Sequence, residues 1–305
     1  MANVMSVEKR NTILRLLVEG NSIRSTCRLM QTCIPSVLRQ LVWAGDHSAE
    51  LMDSRFRGLR LDHLGCDEIW TFCRKKQAQL TTTERELASD IGDIYLWTAF
   101  DQQTKLVAAH VVGKRSADMA RRLMMKLAGR LEFPAPHLAD ARNFQPGHFE
   151  PITQISSDGF QAYPEAVDLA IGPYVKFGTL IKDYRNADQP GRYSPGEIVG
   201  TQRRSVFNMS DSDQWSICTS HVERHNLTIR TFMKRFARLA LGFSKKLANL
   251  EAAINLYLAY YNFCWRTRYP DHSGKCGRYR ATAAMMAGVT DRLWTFNDLM
   301  SGGPM

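Results

Sequence analysis

Near the start of the chain, apolar residues recur at helical spacing: Ile13, Leu14, Leu16, Leu17 and Val18. They predict a helix over Val7 to Leu17. Glu19-Gly20-Asn21-Ser22 interrupts the pattern, with Gly20 suited to a C′ position and Ser22 to an N-cap. A second short helix is expected from Ile23 to Met30, a turn at Gln31-Thr32-Cys33, and a third helix from Pro35 to Trp43. Three short helices with a tight turn between the last two fit helix-turn-helix geometry, in which Ser36, Arg39 and Gln40 would face a DNA groove. A generic three-helix cap would show the same pattern. Residues 46–62 are polar and charged and read as a linker.

Beyond residue 62 the texture changes to strands. His63 to Phe72 (HLGCDEIWTF), Ile94 to Phe100 (IYLWTAF) and Lys105 to Val112 (KLVAAHVV) are the first three, with Asp101-Gln102-Gln103-Thr104 as a hairpin turn between the last two. Met119, Ala120, Leu123, Met124 and Leu127 mark a helix over Ser116 to Leu131, capped by Ser116. After a loop at Phe133 to Pro151 come a strand at Thr153 to Ser157, a helix at Phe160 to Ala170 and a strand at Tyr174 to Ile181. Residues 182–216, with Pro190, Gly191, Pro195 and Gly196, read as an inserted loop. Long helices are expected at Thr219 to Leu241 and Lys245 to Trp265, followed by a basic loop from Arg266 to Arg280. This order defines a mixed α/β core with an all-α N-terminus and C-terminal helices. The division expected is 1–50 for the helix-turn-helix, 60–245 for the mixed α/β core, and 246–305 for a helical, basic extension.

Composition narrows the class. Apolar residues make up 44% and charged residues 23%, which excludes a chain disordered throughout. No apolar run reaches the roughly 18 residues of a membrane span, and Met1 to Arg10 has no apolar stretch of a secretion signal. Seven scattered cysteines, with no C-x-x-C pair, argue against a disulfide framework and a cysteine zinc site. A cytoplasmic protein with reduced thiols is expected. The net charge is +10, and it is uneven: +9 falls in residues 221–280 and +4 in residues 1–60, while residues 61–220 carry −2. A near-neutral middle between two basic ends suggests a polyanion held at two places.

Three acids stand out by position. Asp67 lies inside an apolar strand, Asp158 at the carboxyl end of another before Gly159, and Glu223 near the start of a basic helix. A carboxylate within an apolar strand is costly unless it is paired or binds a metal, and ligand sites of open α/β sheets form at strand ends. Three such oxygen ligands suit Mg²⁺ or Mn²⁺, and two ions could activate an attacking oxygen and stabilise a leaving one. Glu68 should point to the other face of its strand and is set aside as a ligand. Arg230, Lys234 and Arg238 follow Glu223 at offsets of 7, 11 and 15, so one helix side would carry an acid and a line of cations for DNA phosphates.

These residues resemble a known family. The runs Thr219-Ser220-His221-Val222-Glu223-Arg224-His225-Asn226-Leu227, Arg235-Phe236-Ala237-Arg238-Leu239, Asp67-Glu68-Ile69-Trp70, Ser157-Asp158-Gly159-Phe160-Gln161-Ala162-Tyr163 and Phe243-Ser244-Lys245-Lys246 look like the motifs of bacterial insertion-sequence DDE transposases of the InsB-like group. The resemblance implies an RNase H-like core that cuts and joins transposon ends, with Asp67, Asp158 and Glu223 as catalytic residues holding Mg²⁺ (or Mn²⁺), two ions in all. It implies DNA partners, both terminal inverted repeats and target, a homodimer or larger assembly, and a place in the bacterial cytoplasm at the nucleoid. The family tends to carry a basic residue seven places after the Glu, and Arg230 stands there. The 65 residues from Asp158 to Glu223 exceed the short gap of small members, and the cysteines of an N-terminal zinc ribbon are missing.

Three other readings compete. His221 and His225 stand at i and i+4 and could share a zinc ion, yet Glu223 falls about 200° round the helix from His221, away from such a site. A non-catalytic DNA-binding protein derived from a transposase would need only the helix-turn-helix and the basic helix. A nuclease that cuts without joining would use the same acids.

Overall fold

The computed structural model describes residues 5–87, 89–133, 153–185, 197–237, 241–266, 268–269, 278–279 and 281–303. Three helices open the chain: α1 (Val7–Val18), α2 (Ile23–Leu29) and α3 (Ile34–Arg55). Ser6 and Ser22 cap the first two, each accepting from the backbone three residues on. Gly20 turns the chain with φ +85°, as its C′ position requires.

The third helix is 22 residues long and runs through most of the stretch expected to be a linker. Its continuation buries Ala44, Gly45, Ser48, Leu51 and Met52, a stripe of mostly small residues at helical spacing. That stripe meets α8 (Leu247–Phe263), and a Cβ on Gly45 would fall 2.6 Å from Ala252 Cβ. The expected boundary at residue 50 therefore lies inside a helix packed on the C-terminal part of the chain. One apolar core joins Leu14 and Leu41 of the N-terminal helices to the sheet and to Ile254 and Leu258 of α8.

The sheet has six strands: β1 (His63–Cys73), β2 (Gly92–Asp101), β3 (Val107–Gly113), β4 (Thr153–Asp158), β5 (Val175–Arg185) and β6 (Glu197–Phe207). Their order is β3-β2-β1-β4-β5-β6. β1, β2 and β3 form an antiparallel meander, β4 and β5 run parallel to β1, and β6 returns antiparallel to β5. This mixed sheet, flanked by helices, is compatible with an RNase H-like core. The β2–β3 turn closes as expected, Asp101 Oδ2 accepting from the backbone of Gln103 and Thr104 and from the Thr104 hydroxyl.

Helices cover both faces. A short α4 (Thr82–Leu87) precedes β2, and α5 (Ala117–Ala128) and α6 (Ala162–Ala170) pack together on one side. On the other side, α7 (Ser220–Phe232) sets Val222 against Gly65 of β1. The outer edge of β3 is met by α8, whose Asn262 amide bonds both the N–H and C=O of Val107, while Asn255 Oδ1 bonds His110 Nε2 at 2.8 Å. The chain ends in a two-residue ladder, β7 (Arg268–Tyr269) with β8 (Arg278–Tyr279), and short helices α9 (Ala283–Met286) and α10 (Phe296–Ser301). No helix among the described residues is long and apolar enough to cross a membrane.

Two expectations are corrected here. The stretch 182–216 is not simply a loop, because Lys182 to Arg185 extend β5 and Glu197–Phe207 forms β6. The long helix expected to Leu241 stops at Phe232, and Met233 turns extended at φ −114° and ψ 91°. The cause is tertiary. β1 outruns β4, which leaves the far end of β1 without a neighbour on that side. The chain after α7 takes that place: the Thr71 hydroxyl donates to the Arg235 carbonyl at 2.5 Å, and Cys73 bridges to Ser244.

Candidate active site

β1 and β4 are parallel neighbours whose last paired residues are Cys66 and Ser157. The next residue on each is an acid. Asp67 and Asp158 thus stand side by side where the pairing of the two strands stops, Asp158 at the carboxyl end of β4 and Asp67 within the longer β1, on the face that α7 covers. Glu68 follows on the opposite face, as strand alternation requires. There Tyr163 Oη donates to its Oε1 at 2.6 Å and Arg115 Nε to its Oε2 at 3.1 Å.

The opposite face does not remove Glu68 from the site. Because β4 has ended, nothing separates the two faces at this point, and one carboxylate oxygen from each of Asp67, Glu68 and Asp158 lies within 4.8 Å of the others. Setting Glu68 aside is therefore corrected. Arg115 links the cluster, with Nη2 3.6 Å from Asp158 Oδ2 and its guanidinium 4.4 Å from the centre of the Phe160 ring.

Glu223 lines the same cleft from the first turn of α7, as do Asn226 and Arg230. Its carboxylate is not one of the three clustered acids. It is held by an ion pair with Lys182 of β5 and accepts from the Thr219 hydroxyl at 2.5 Å. Asn226, one turn further along α7, donates from Nδ2 to Asp67 Oδ2 at 2.7 Å, and the Glu68 N–H donates to Asp67 Oδ1 at 2.8 Å.

Burial dominates the electrostatics. It raises the Asp67 carboxyl to about 7, aided by the charges of Glu68, Asp158 and Glu223 and opposed by the Glu68 N–H bond. Burial also raises the Glu68 carboxyl, with the Asp158 charge adding, while Tyr163 and Arg115 act against it. Several acids held together with few cations are a costly arrangement for an apoprotein. Their chemistry fits a hard divalent cation: the donors are carboxylate oxygens, and the buried Asn226 Oδ1 beside them has no hydrogen-bond partner. The cleft measures about 1,100 Å³.

The expected line of cations is cut short. Arg230 lines the cleft on α7, but Lys234 sits past the end of the helix in a 3₁₀ turn, Lys234–Phe236. Arg238 lies outside the described residues. At the N-terminus Arg39 is exposed and Gln40 partly so, both on α3.

The two histidines do not share a site. His221 is exposed, with Nδ1 3.3 Å from Lys105 Nζ, while the His225 ring is buried between Phe100 and Tyr261. Among the described residues, the three clustered acids are the one group of His, Cys, Asp and Glu near enough to hold a metal together.

Sequence reasoning missed Arg115, Tyr163, Lys182 and Asn226. Asn226 could have been found, since position i+3 from Glu223 shares its side of the helix. Lys182 and Arg115 carry no local signal, because the pairing of β5 and the loop before α5 place them. Compared with family models and with curated proteins, the chain matches none of them.

Proposed function

We propose that this chain is a transposase that binds insertion-sequence ends and catalyses metal-dependent cleavage and strand transfer of DNA. The reading rests on one observation. Asp67 within β1 and Asp158 at the end of β4 stand side by side just past the last pairing of these parallel strands, and Glu223 and Arg230 of α7 line the same cleft. Asp67, Asp158 and Glu223 are the catalytic carboxylates in this reading and would hold Mg²⁺ or Mn²⁺, with Glu68 beside them. The metal, when bound, activates the attacking oxygen and stabilises the leaving oxygen of a phosphodiester.

The chain's own groups prepare that chemistry. Asn226 fixes the orientation of the Asp67 carboxylate. Lys182 and Thr219 hold Glu223 in a defined position at the cleft wall. Arg115 balances the charge of Glu68 and Asp158. Arg230 meets the phosphate backbone beside the reacting bond. Arg39 and Gln40 of α3 contact end DNA, and a dimer or larger assembly keeps two ends together in the bacterial nucleoid.

A strand-transfer assay on labelled transposon-end DNA tests this. Joined products should require Mg²⁺ or Mn²⁺, and Asp67→Ala, Asp158→Ala or Glu223→Ala should abolish them while DNA binding persists. Arg39→Ala in the full chain should weaken binding to end DNA by about 1–3 kcal/mol if the residue reads a base. Binding with no metal-dependent cutting would instead mark a non-catalytic DNA-binding protein. Cutting without joining would mark a nuclease.

A further inference from the structure

Trp215 is 80% exposed on the turn Asp211–Ser216, between β6 and α7. An exposed indole on a loose loop would mean little, but this turn is firmly built. Ser210 and Asp213 form a capping box, and Lys176 of β5 pairs with Asp213 at 3.3 Å. The Ser216 hydroxyl donates to Gln154 Oε1 at 2.6 Å, and Ile217 is fully buried against Gly178. A rigid scaffold thus holds a large aromatic face in solvent.

A cation is fixed beside it. Arg203 of β6 donates from Nε to the Ile217 carbonyl at 3.1 Å, and its guanidinium lies 5.8 Å from the centre of the Trp215 ring. The register places this pair relative to the cleft. Asp158 is opposite Leu180, and Leu180 is opposite Arg203, so all three share one face of the sheet. Strands spaced about 4.8 Å apart set β6 about 10 Å from β4. The ring's own turn is polar, with Asp211, Ser212, Asp213 and Gln214 around it. Within the turn Asp211–Ser216 the indole is the one apolar side chain.

We propose that Trp215 and Arg203 form a stacking platform for an unpaired DNA base, at the β6 side of the carboxylate cleft. The inference extends the DNA-processing reading given above and names the state of the DNA at that site. An indole takes a base by its π-face, which a duplex hides and a single strand offers, and an arginine beside the ring takes the adjoining phosphate. The positive charge of Arg203, Arg224 and Arg230 along this side complements a DNA strand leading into the cleft.

The test reads binding alone, in the full chain without divalent cations. Fluorescence anisotropy would compare a labelled 20-nucleotide oligo-dT with a 20-base-pair duplex. Trp215→Ala should weaken oligo-dT binding by about 5- to 150-fold and duplex binding by less than about 2-fold. Trp215→Phe should retain most of the oligo-dT affinity. Because the ring is exposed, the melting temperature of both variants should match that of the parent, which separates the effect from misfolding. Unchanged oligo-dT affinity in Trp215→Ala would overturn the proposal, as would an equal loss on duplex. A change of oligomeric state with unchanged DNA affinity would also overturn it and make Trp215 part of a protein interface. A protein that binds oligo-dT through Trp215 yet never cuts or joins DNA would keep this inference and sink the transposase reading.

Discussion

Asn226 on α7 donates a 2.7 Å hydrogen bond to Oδ2 of Asp67 on β1, and both groups are largely removed from solvent. This bond ties the helix that carries Glu223 to the strand that carries the central acid. Asn226→Ala should cost about 1–3 kcal/mol, because a buried carboxylate oxygen loses its donor. Asn226→Asp should cost more, since it sets a further negative charge against Asp67. Urea unfolding of the two variants measures the difference. Equal stability of Asn226→Asp and the parent would show that the bond does not orient Asp67.

The clustered acids predict a stabilising response to divalent cations that needs no DNA. Metal bound only by the folded state adds about 2.7 kcal/mol at a concentration 100 times Kd. The melting temperature of the parent should therefore rise by several degrees in Mg²⁺ or Mn²⁺. Asp67→Ala and Asp158→Ala should lose the response. Glu68→Gln preserves an acceptor for Tyr163 while removing a charge, and it should show a smaller rise than the parent. A full rise in Asp67→Ala would place the ion elsewhere.

His110 predicts loss of stability in acid. Its ring is buried, Nε2 meets Asn255 Oδ1, and Nδ1 has no partner. Burial lowers it to about 3, with the charges of Lys126 and Arg130 adding, against the Asn255 bond and the Asp53 charge. The folded state therefore prefers the neutral ring. Its contribution is fully present above the ordinary histidine value of about 6.5 and falls by about 1.4 kcal/mol per pH unit below it, down to the folded-state value. His110→Gln keeps a donor for Asn255 and cannot titrate. Between pH 7 and pH 5 the parent should lose about 2 kcal/mol more than this variant in urea unfolding. Parallel losses would remove His110 as the source.

Much of this arrangement is legible in the sequence, and the exceptions share a cause. The strand carrying Asp67 announces itself by an apolar run, and the boundaries of both it and the strand carrying Asp158 fall within a residue or two of those expected. β6 does not, because Glu197–Phe207 is an edge strand with mostly exposed residues and so lacks an apolar alternation. The end of α7 is invisible for another reason. Nothing in Thr231-Phe232-Met233 breaks a helix, and the break answers to β1, where Thr71, remote in sequence, meets Arg235 and Cys73 bridges to Ser244. Glu68 is read onto the correct face, but alternation cannot show that β4 ends one residue past Cys66's partner and lets the two faces meet. The second half of α3 reads as a linker because its polar and charged residues mask the buried stripe, whose partner, α8, lies some 200 residues away.

Gly45 supplies the sharpest test of that last contact. It sits inside a long helix, where alanine is normally the better residue by about 1 kcal/mol. Here an added methyl would lie 2.6 Å from both the Cβ and the carbonyl oxygen of Ala252, so the backbones of α3 and α8 would have to separate. Overpacking of this kind costs about 1–3 kcal/mol, which outweighs the gain in helix propensity. Gly45→Ala should therefore destabilise the chain in thermal or urea unfolding. Ala252→Gly in the same background should restore part of the loss by opening space opposite the new methyl, and a double-mutant cycle would report the coupling. The N-terminal helices share one core with α8, so the loss should appear in a single cooperative transition of the whole chain. A separate early transition for residues 1–55, leaving the sheet intact, would instead show an independent N-terminal unit.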